Sequence, residues 1–419
     1  MLLQFYFKNF KSFRDETILD MTSTKISEYE KHVTKFGGEQ VLPIAAIFGA
    51  NASGKSNVID AFRYMSEYVY ESLNYGGENS KKDKDRFERA TPFLFDSNSK
   101  NEGSIFEIYF MDCKDLKERT YNYGFTIDLD GVAEEWLNYK SKSAKKYTRI
   151  FYRSDKELDL SGLPKKIQEN LTIALERKTL LVSLGAKLKV DKLKFVRDWF
   201  YANEFTDFGE PFESVYLSRV TPTNFSVDEG VRRKVLKYLS SFDSSIVDFK
   251  IEEVKNESGE ESLIIEAVHK MANGEGFATI PLQNESAGTL KMFSLYPWLE
   301  NVLESGGILI VDELNAKLHP LLVRAFIQTF LNEELNPNHA QLIFTTHDSW
   351  QLNSNLLRRD EIWFTEKQSN GVSQLYSLVD FVDGDGSKIR KDENYEKNYL
   401  LGKYGAIPSL INIDVLEDK

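Results

Sequence analysis

A single cysteine, Cys113, among 419 residues excludes any disulfide framework within the chain and suits a reducing compartment. That thiol reads as a small buried hydrophobe. Histidine is scarce too, at five residues, and no cysteine or histidine spacing of a metal site occurs. No apolar run approaches the length of a membrane span, and Lys8 and Lys11 interrupt what a signal peptide would use as its apolar region. The expectation is a cytoplasmic protein with no membrane partner. Positive charge is in deficit, the net charge being −12, which argues against a surface that tracks nucleic-acid backbone throughout. What remains is an ordinary globular composition, 41% hydrophobic and 28% charged, with length for a substantial core.

Against that background one stretch stands out. Ile47-Phe48-Gly49-Ala50-Asn51-Ala52-Ser53-Gly54-Lys55-Ser56-Asn57 completes G-x-x-x-x-G-K-S, a phosphate-binding loop. Ile44 to Phe48 before it reads as a fully buried strand, while Val58, Ile59, Ala61, Phe62 and Met65 after it fall at helical spacing. The alternative is a plain Gly/Ser turn before a helix, and the filled motif in a strand–loop–helix setting speaks against it. Gly49 and Gly54 let backbone N–H groups close around phosphate oxygens. Lys55 bridges the outer phosphates and the Ser56 hydroxyl ligates Mg²⁺. Gly49, Asn51, Ala52, Ser53, Gly54, Lys55, Ser56 and Asn57 are therefore the candidate nucleotide-binding residues.

The rest of the chain predicts a mixed architecture. Residues 2 to 20 read as an antiparallel hairpin turning at Asn9 to Phe13, and 21 to 40 as a loop. Residues 73 to 105 read as an exposed connection with an apolar anchor at 90–95, followed by strands at 105–110, 121–127, 134–139 and 149–152. Helical spacing occupies 163–204 and 227–242, without the heptads of a long coiled coil. Strands at 247–254, 262–268 and 277–282 precede Asn284-Glu285-Ser286-Ala287-Gly288-Thr289, where Ser286 suits the N-cap of a strongly apolar helix. Two buried strands follow, 307–311 and 341–346, with a helix from Pro320 to Phe330 between them and strands at 361–364 and 373–379 after them. Strand, helix, strand in that order implies parallel pairing.

Chemistry recurs at the ends of the buried strands. Asp312 ends the first, where it can hold Mg²⁺ through water, and Glu313 is then placed to orient or deprotonate an attacking water. His347 ends the second, pointing at the same crevice; otherwise it is a satisfied structural side chain. Ser286 and Gly288 at a helix N-terminus can approach phosphate closely. No N-K-x-D guanine-reading segment occurs, which disfavours a GTPase, and a small-molecule kinase would leave Ser286 to Thr289 and His347 without a role.

This order of motifs resembles ABC-type ATPase heads of the SMC and RecF kind, in an α/β fold with a mixed sheet, an antiparallel β lobe and a helical insertion. Phe10-Lys11-Ser12-Phe13 is similar to the opening of such heads. Asp312-Glu313-Leu314-Asn315-Ala316-Lys317-Leu318-His319-Pro320 and Tyr399 to Pro408 resemble more specifically the AAA_15/AAA_21 group. The resemblance implies ATP and Mg²⁺, with Lys55, Glu313 and His347 catalytic and Ser56 and Asp312 on the metal. It divides the chain into an N-terminal half at 1–154, an insertion at 155–245 and a C-terminal half at 246–419. It also implies a homodimer or larger assembly in which Ser286 and Gly288 meet the partner's ATP and Asn315 to Leu318 cross the interface. A polar residue beside the metal is expected after the second strand of the antiparallel lobe, with Thr91 to Asp96 the candidate. Related ATPases act in anti-phage defence beside a separate effector such as a nuclease or toxin. The rival is a repair or chromosome ATPase that binds DNA through Lys140, Lys142, Lys145, Lys146, Arg149, Arg153 and the 187–197 segment; the alternative for these residues is a solvated face.

Overall fold

The computed structural model describes residues 1–75, 89–210, 221–255, 261–383 and 386–408. The first hairpin, Leu2–Lys8 (β1) and Thr17–Asp20 (β2), turns through Phe10 and Phe13, which face each other as an isolated bridge. Two short strands, Thr34–Phe36 (β3) and Glu39–Val41 (β4), occupy part of the stretch read as loop, turning at Gly37-Gly38. Ile44–Gly49 (β5) then leads into the helix Lys55–Glu71 (α1). Ser104–Met111 (β6), Thr120–Ile127 (β7), Val132–Lys140 (β8), Thr148–Ser154 (β9) and Leu158–Asp159 (β10) extend the first hairpin into a seven-stranded antiparallel sheet of order β10-β9-β8-β7-β6-β1-β2.

Helices follow at Lys165–Ala174 (α2), Leu181–Lys187 (α3) and Asp191–Tyr201 (α4). The segment read as helical to residue 204 ends instead in a strand, Glu204–Asp207 (β11). After Glu229–Ser240 (α5), the strands Ile246–Lys255 (β12), Glu261–Lys270 (β13) and Phe277–Pro281 (β14) make a separate three-stranded sheet; the expected turn at Asn256 to Gly259 lies outside the described residues. Ala287–Ser305 (α6), Ile308–Asp312 (β15), Pro320–Leu331 (α7), Gln341–Thr345 (β16), Ile362–Lys367 (β17), Ser373–Ser377 (β18) and Tyr395–Leu400 (α8) complete the chain.

Six strands form the second large sheet, in order β11-β15-β16-β5-β17-β18, with every pair parallel except β17–β18. Both faces are covered, which is why these strands read as unbroken apolar runs. Ala45, Ile47, Ile308, Ile310, Ile343 and Trp363 join the core that holds α1 and the antiparallel sheet. Ile44, Ala46, Phe48, Leu309, Val311, Leu342 and Phe344 join the opposite core, beneath α6 and α7. The period of two thus sends alternate residues of one strand to different layers, and each fully buried Leu, Ile or Phe contributes about 1.5–3 kcal/mol.

A buried ion pair fastens the α3–α4 region to the antiparallel sheet. Glu135 on β8 is wholly buried and lies 3.1 Å from Arg153 on β9. Its carboxylate also accepts N–H groups from Leu181 at 2.7 Å and Val182 at 3.1 Å, at the start of α3. Among the described residues, no helix is long and apolar enough to cross a membrane.

Candidate nucleotide site

At the C-terminal tip of β5 the chain leaves the sheet at Gly49, where a Cβ would come within 2.5 Å of Thr365 O and 2.7 Å of Ser53 Oγ. Gly54, the N-cap of α1, has φ +115°, and a Cβ there would meet Ser373 Oγ at 2.8 Å. Both glycines are thus required by the tightness of the turn. Ala52 also lies in left-handed space, at φ +60°. The loop is braced from the neighbouring strands: Ser53 Oγ and Thr365 Oγ1 are 2.6 Å apart, and Ser373 Oγ stands 2.7 Å from Ser53 O. Ser373 Oγ is also 2.8 Å from Ser12 Oγ, which accepts a hydrogen bond from Asn57 Nδ2 at 2.7 Å. Lys11 reaches Asp60 of α1 at 2.7 Å. The Phe10 to Phe13 turn therefore buttresses the loop and the first turns of its helix.

Lys55 lies folded back on the loop, its ammonium donating to Gly49 O at 2.9 Å and Ala50 O at 3.0 Å. Burial pushes its pKa down to about 8, against the opposing pull of Asp312 and Glu313. Ser56 is exposed at the helix start.

Asp312 ends β15 and is 6% exposed. Thr345, at the tip of adjacent β16, donates its hydroxyl to Asp312 Oδ1 and accepts the Glu313 N–H at 2.9 Å. One hydroxyl therefore orients both acidic residues. Glu313 adopts left-handed backbone, φ +51°, an uncommon conformation for a residue with a side chain. Its carboxylate is partly exposed, with Oε1 3.8 Å from His347 Nε2, a separation too long for a direct hydrogen bond. Burial, and then the charge of Lys55, lowers the His347 pKa, with Asp312 pulling the other way, so the imidazole is neutral at pH 7. Asn315 Oδ1 accepts from Thr346 Oγ1 at 2.8 Å and from the His347 N–H at 3.1 Å, joining the loop after Glu313 to the tip of β16. Lys55, Asp312, Glu313 and His347 thus gather at the C-terminal end of the parallel sheet, close enough for the two carboxylates to act on Lys55, and for Lys55 and Asp312 to act on His347.

Ser286 caps α6, its hydroxyl accepting the Thr289 N–H at 3.1 Å. Gly288 faces the loop after Glu313, where a Cβ would lie 3.6 Å from Lys317 O. Among the described residues no hydrogen bond joins Ser286 to Thr289 with the loop at 49–57.

Thr91 to Asp96 packs against the β1–β2 turn that buttresses the phosphate loop: Lys11 N–H bonds Thr91 O at 2.7 Å and Phe93 N–H bonds Asn9 Oδ1 at 3.0 Å. A polar side chain the motifs did not point to, Asp207, is the register partner of Asp312 across β11–β15. Burial and the Asp312 charge raise the Asp207 pKa. A Cβ at Gly209 would stand 2.5 Å from Glu313 Oε2 and 3.2 Å from Asp207 Oδ1, so the missing side chain makes room for both carboxylates. Sequence reasoning missed this edge because Glu204 to Asp207 follows helical spacing without a break. The available signal was Asp-Phe-Gly after a short β-prone run.

The basic candidates are largely paired. Lys140 meets Glu39 at 3.4 Å, Lys142 meets Glu118 at 2.5 Å, Arg149 meets Asp159 at 3.2 Å, and Arg153 is the buried partner of Glu135. Lys194 and Arg197 both engage Asp198.

The family described as "AAA domain, putative AbiEii toxin, Type IV TA system" matches residues 44–349, from the first residue of β5 to just past His347. Among solved structures, the chain is similar to an SMC head bound to the C-winged helix domain of ScpA, at 17% identity and a TM-score of 0.42, over 90% of this chain and 97% of that one. No curated protein matches. With the phosphate loop, the acidic strand end and the histidine all inside the matched span, the chain belongs to this AAA_21 family of P-loop ATPases.

Proposed function

We propose that the chain binds and hydrolyses ATP between two of its own copies and acts as a conformational switch on a separate effector, such as a nuclease or toxin, in anti-phage defence. The observation that carries this reading is the convergence of Lys55, Asp312, Glu313 and His347 at the C-terminal end of the parallel sheet, while among the described residues no hydrogen bond ties Ser286 to Thr289 to the loop of their own chain. A signature segment not bonded to its own phosphate loop is free to serve another subunit's. The family's description, which names a Type IV TA system, agrees with a role beside a second protein.

The residues fit magnesium nucleotide. Gly49 and Gly54 leave a cradle that side chains would fill, and the exposed Ser56 with the half-committed Asp312 supplies hard oxygen donors. When bound, Mg²⁺ neutralises charge between the outer phosphates. Lys55 exchanges its two carbonyl partners for phosphate oxygens. Glu313 orients and deprotonates the attacking water, and neutral His347 donates a hydrogen bond beside it. ATP closes the two heads and hydrolysis releases them.

The DNA-binding alternative draws less support, because carboxylates already engage six of the eleven cations it would use. The deciding measurement is mass in solution with and without ATP. Dimers that form with ATP, persist in Glu313→Gln with hydrolysis reduced by about 10²–10⁴-fold, and vanish in Lys55→Ala support the switch. Monomers at every concentration of ATP and protein would overturn it.

A further inference from the structure

Lys291 is the one basic residue in the apolar helix α6, and it is buried, at 5% exposed. Its ammonium donates to Phe208 O at 3.0 Å and Ala316 O at 2.9 Å, and sits 4.0 Å from the centre of the Phe208 ring. Phe208 follows Asp207, and Ala316 lies in the loop after Glu313. Each of these two residues spends its own N–H on the acidic strand end: Phe208 N–H bonds Asp312 O at 2.9 Å, and Ala316 N–H bonds Glu313 O at 2.8 Å. Two short relays therefore leave the acidic pair and end on one ammonium.

A buried cation is costly, and a methionine would fill the same space without that cost. Packing alone does not account for a lysine here; its polar partners do, the two convergent carbonyls among them. Lys291 also lies about one helical turn from Gly288, which faces Lys317 and Leu318 of the same loop. We infer that Lys291 is a positioning residue that ties the Ser286–Thr289 segment to the acidic end of its own chain's ATP site, so that nucleotide state there sets the placement of this segment. It touches neither nucleotide nor reacting atoms. The inference deepens the proposed ATP reading and rests on it.

Hydrogen exchange of the whole chain, with and without Mg²⁺ and ATP, separates the two ideas. In the unmodified chain, ATP slows exchange at 50–57 and, in step with it, at 207–209, 313–317 and 286–292, by at least tenfold. In Lys291→Met, protection at 50–57 stays within twofold while protection at 286–292 is lost. A variant that keeps full protection at 286–292 overturns the inference, as does an unmodified chain in which ATP protects 50–57 alone. Absence of protection at 50–57 in the unmodified chain defeats the ATP reading itself and this inference with it. Lys291→Gln serves the same comparison if the methionine variant does not fold, and the measurement on the unmodified chain stands without either.

Discussion

Lys55 should make the fold less stable at neutral pH than at alkaline pH, and Lys55→Met isolates the effect. Its pKa is depressed from 10.5 to about 8 because the ammonium is buried. Between those two values the unfolded chain carries the proton and the folded chain does not, so stability rises with pH across that window. At about 1.4 kcal/mol per pH unit, the full span amounts to about 3 kcal/mol, and linkage between pH 7 and pH 9.5 gives about 2 kcal/mol. Other lysines and tyrosines titrate in the same range, but they are common to both chains and cancel in the difference. The assay is urea unfolding of the nucleotide-free chain and of Lys55→Met at pH 7, 8, 9 and 9.5. The unmodified chain should gain about 2 kcal/mol on the variant over that series. A difference constant to within about 0.5 kcal/mol, inside the usual scatter of additivity, would refute the burial and the depressed pKa together. The same titration predicts ATP affinity about tenfold weaker at pH 9 than at pH 7, since only the ammonium attracts phosphate.

Thr345→Val keeps the shape of the side chain and removes the hydroxyl shared by Asp312 and the Glu313 N–H; the buried groups left unmatched should slow hydrolysis by about tenfold to a hundredfold, equivalent to about 1–3 kcal/mol, with ATP affinity nearly unchanged. Comparing kcat with the ATP Kd checks the split. Glu135→Ala strands the Arg153 guanidinium and the first amides of α3, and should cost about 3–5 kcal/mol of stability, read from the urea midpoint.

The parallel sheet was legible because burial on both faces leaves a simple trace: short apolar runs at β5, β15 and β16, each ending in a residue of chemical interest. Ser286 as an N-cap and Pro320 in the first turn of α7 were likewise readable, since capping depends on local chemistry. β11 was not. Four residues, of which only Thr206 is fully buried, carry no clear alternation, and their strand identity comes from pairing with β15, a hundred residues away in sequence. Asp207 and Lys291 were hidden for the same reason. Asp207 meets Asp312 only through the β11–β15 register, and Lys291 bonds carbonyls of two remote segments; no local pattern encodes either.

The lysine of the phosphate loop rests on two neutral carbonyls although Asp312 and Glu313 are near enough to influence its proton. Among the described residues it makes no ion pair with either within 4.0 Å. That arrangement has an energetic logic. Breaking a buried ion pair by taking away one partner costs about 3–5 kcal/mol, which an arriving phosphate would have to offset before any binding appeared. The two carbonyls of the tight glycine loop, at about 1.5–3 kcal/mol for each hydrogen bond to a charged group, hold the ammonium about as firmly, but as neutral groups they leave no unpaired charge behind when it is released. Thr345, meanwhile, takes one Asp312 oxygen that might otherwise have drawn the ammonium across. The acidic pair is thereby kept from pairing directly with the lysine, and the opposite charges stay within reach of one another without an ion pair.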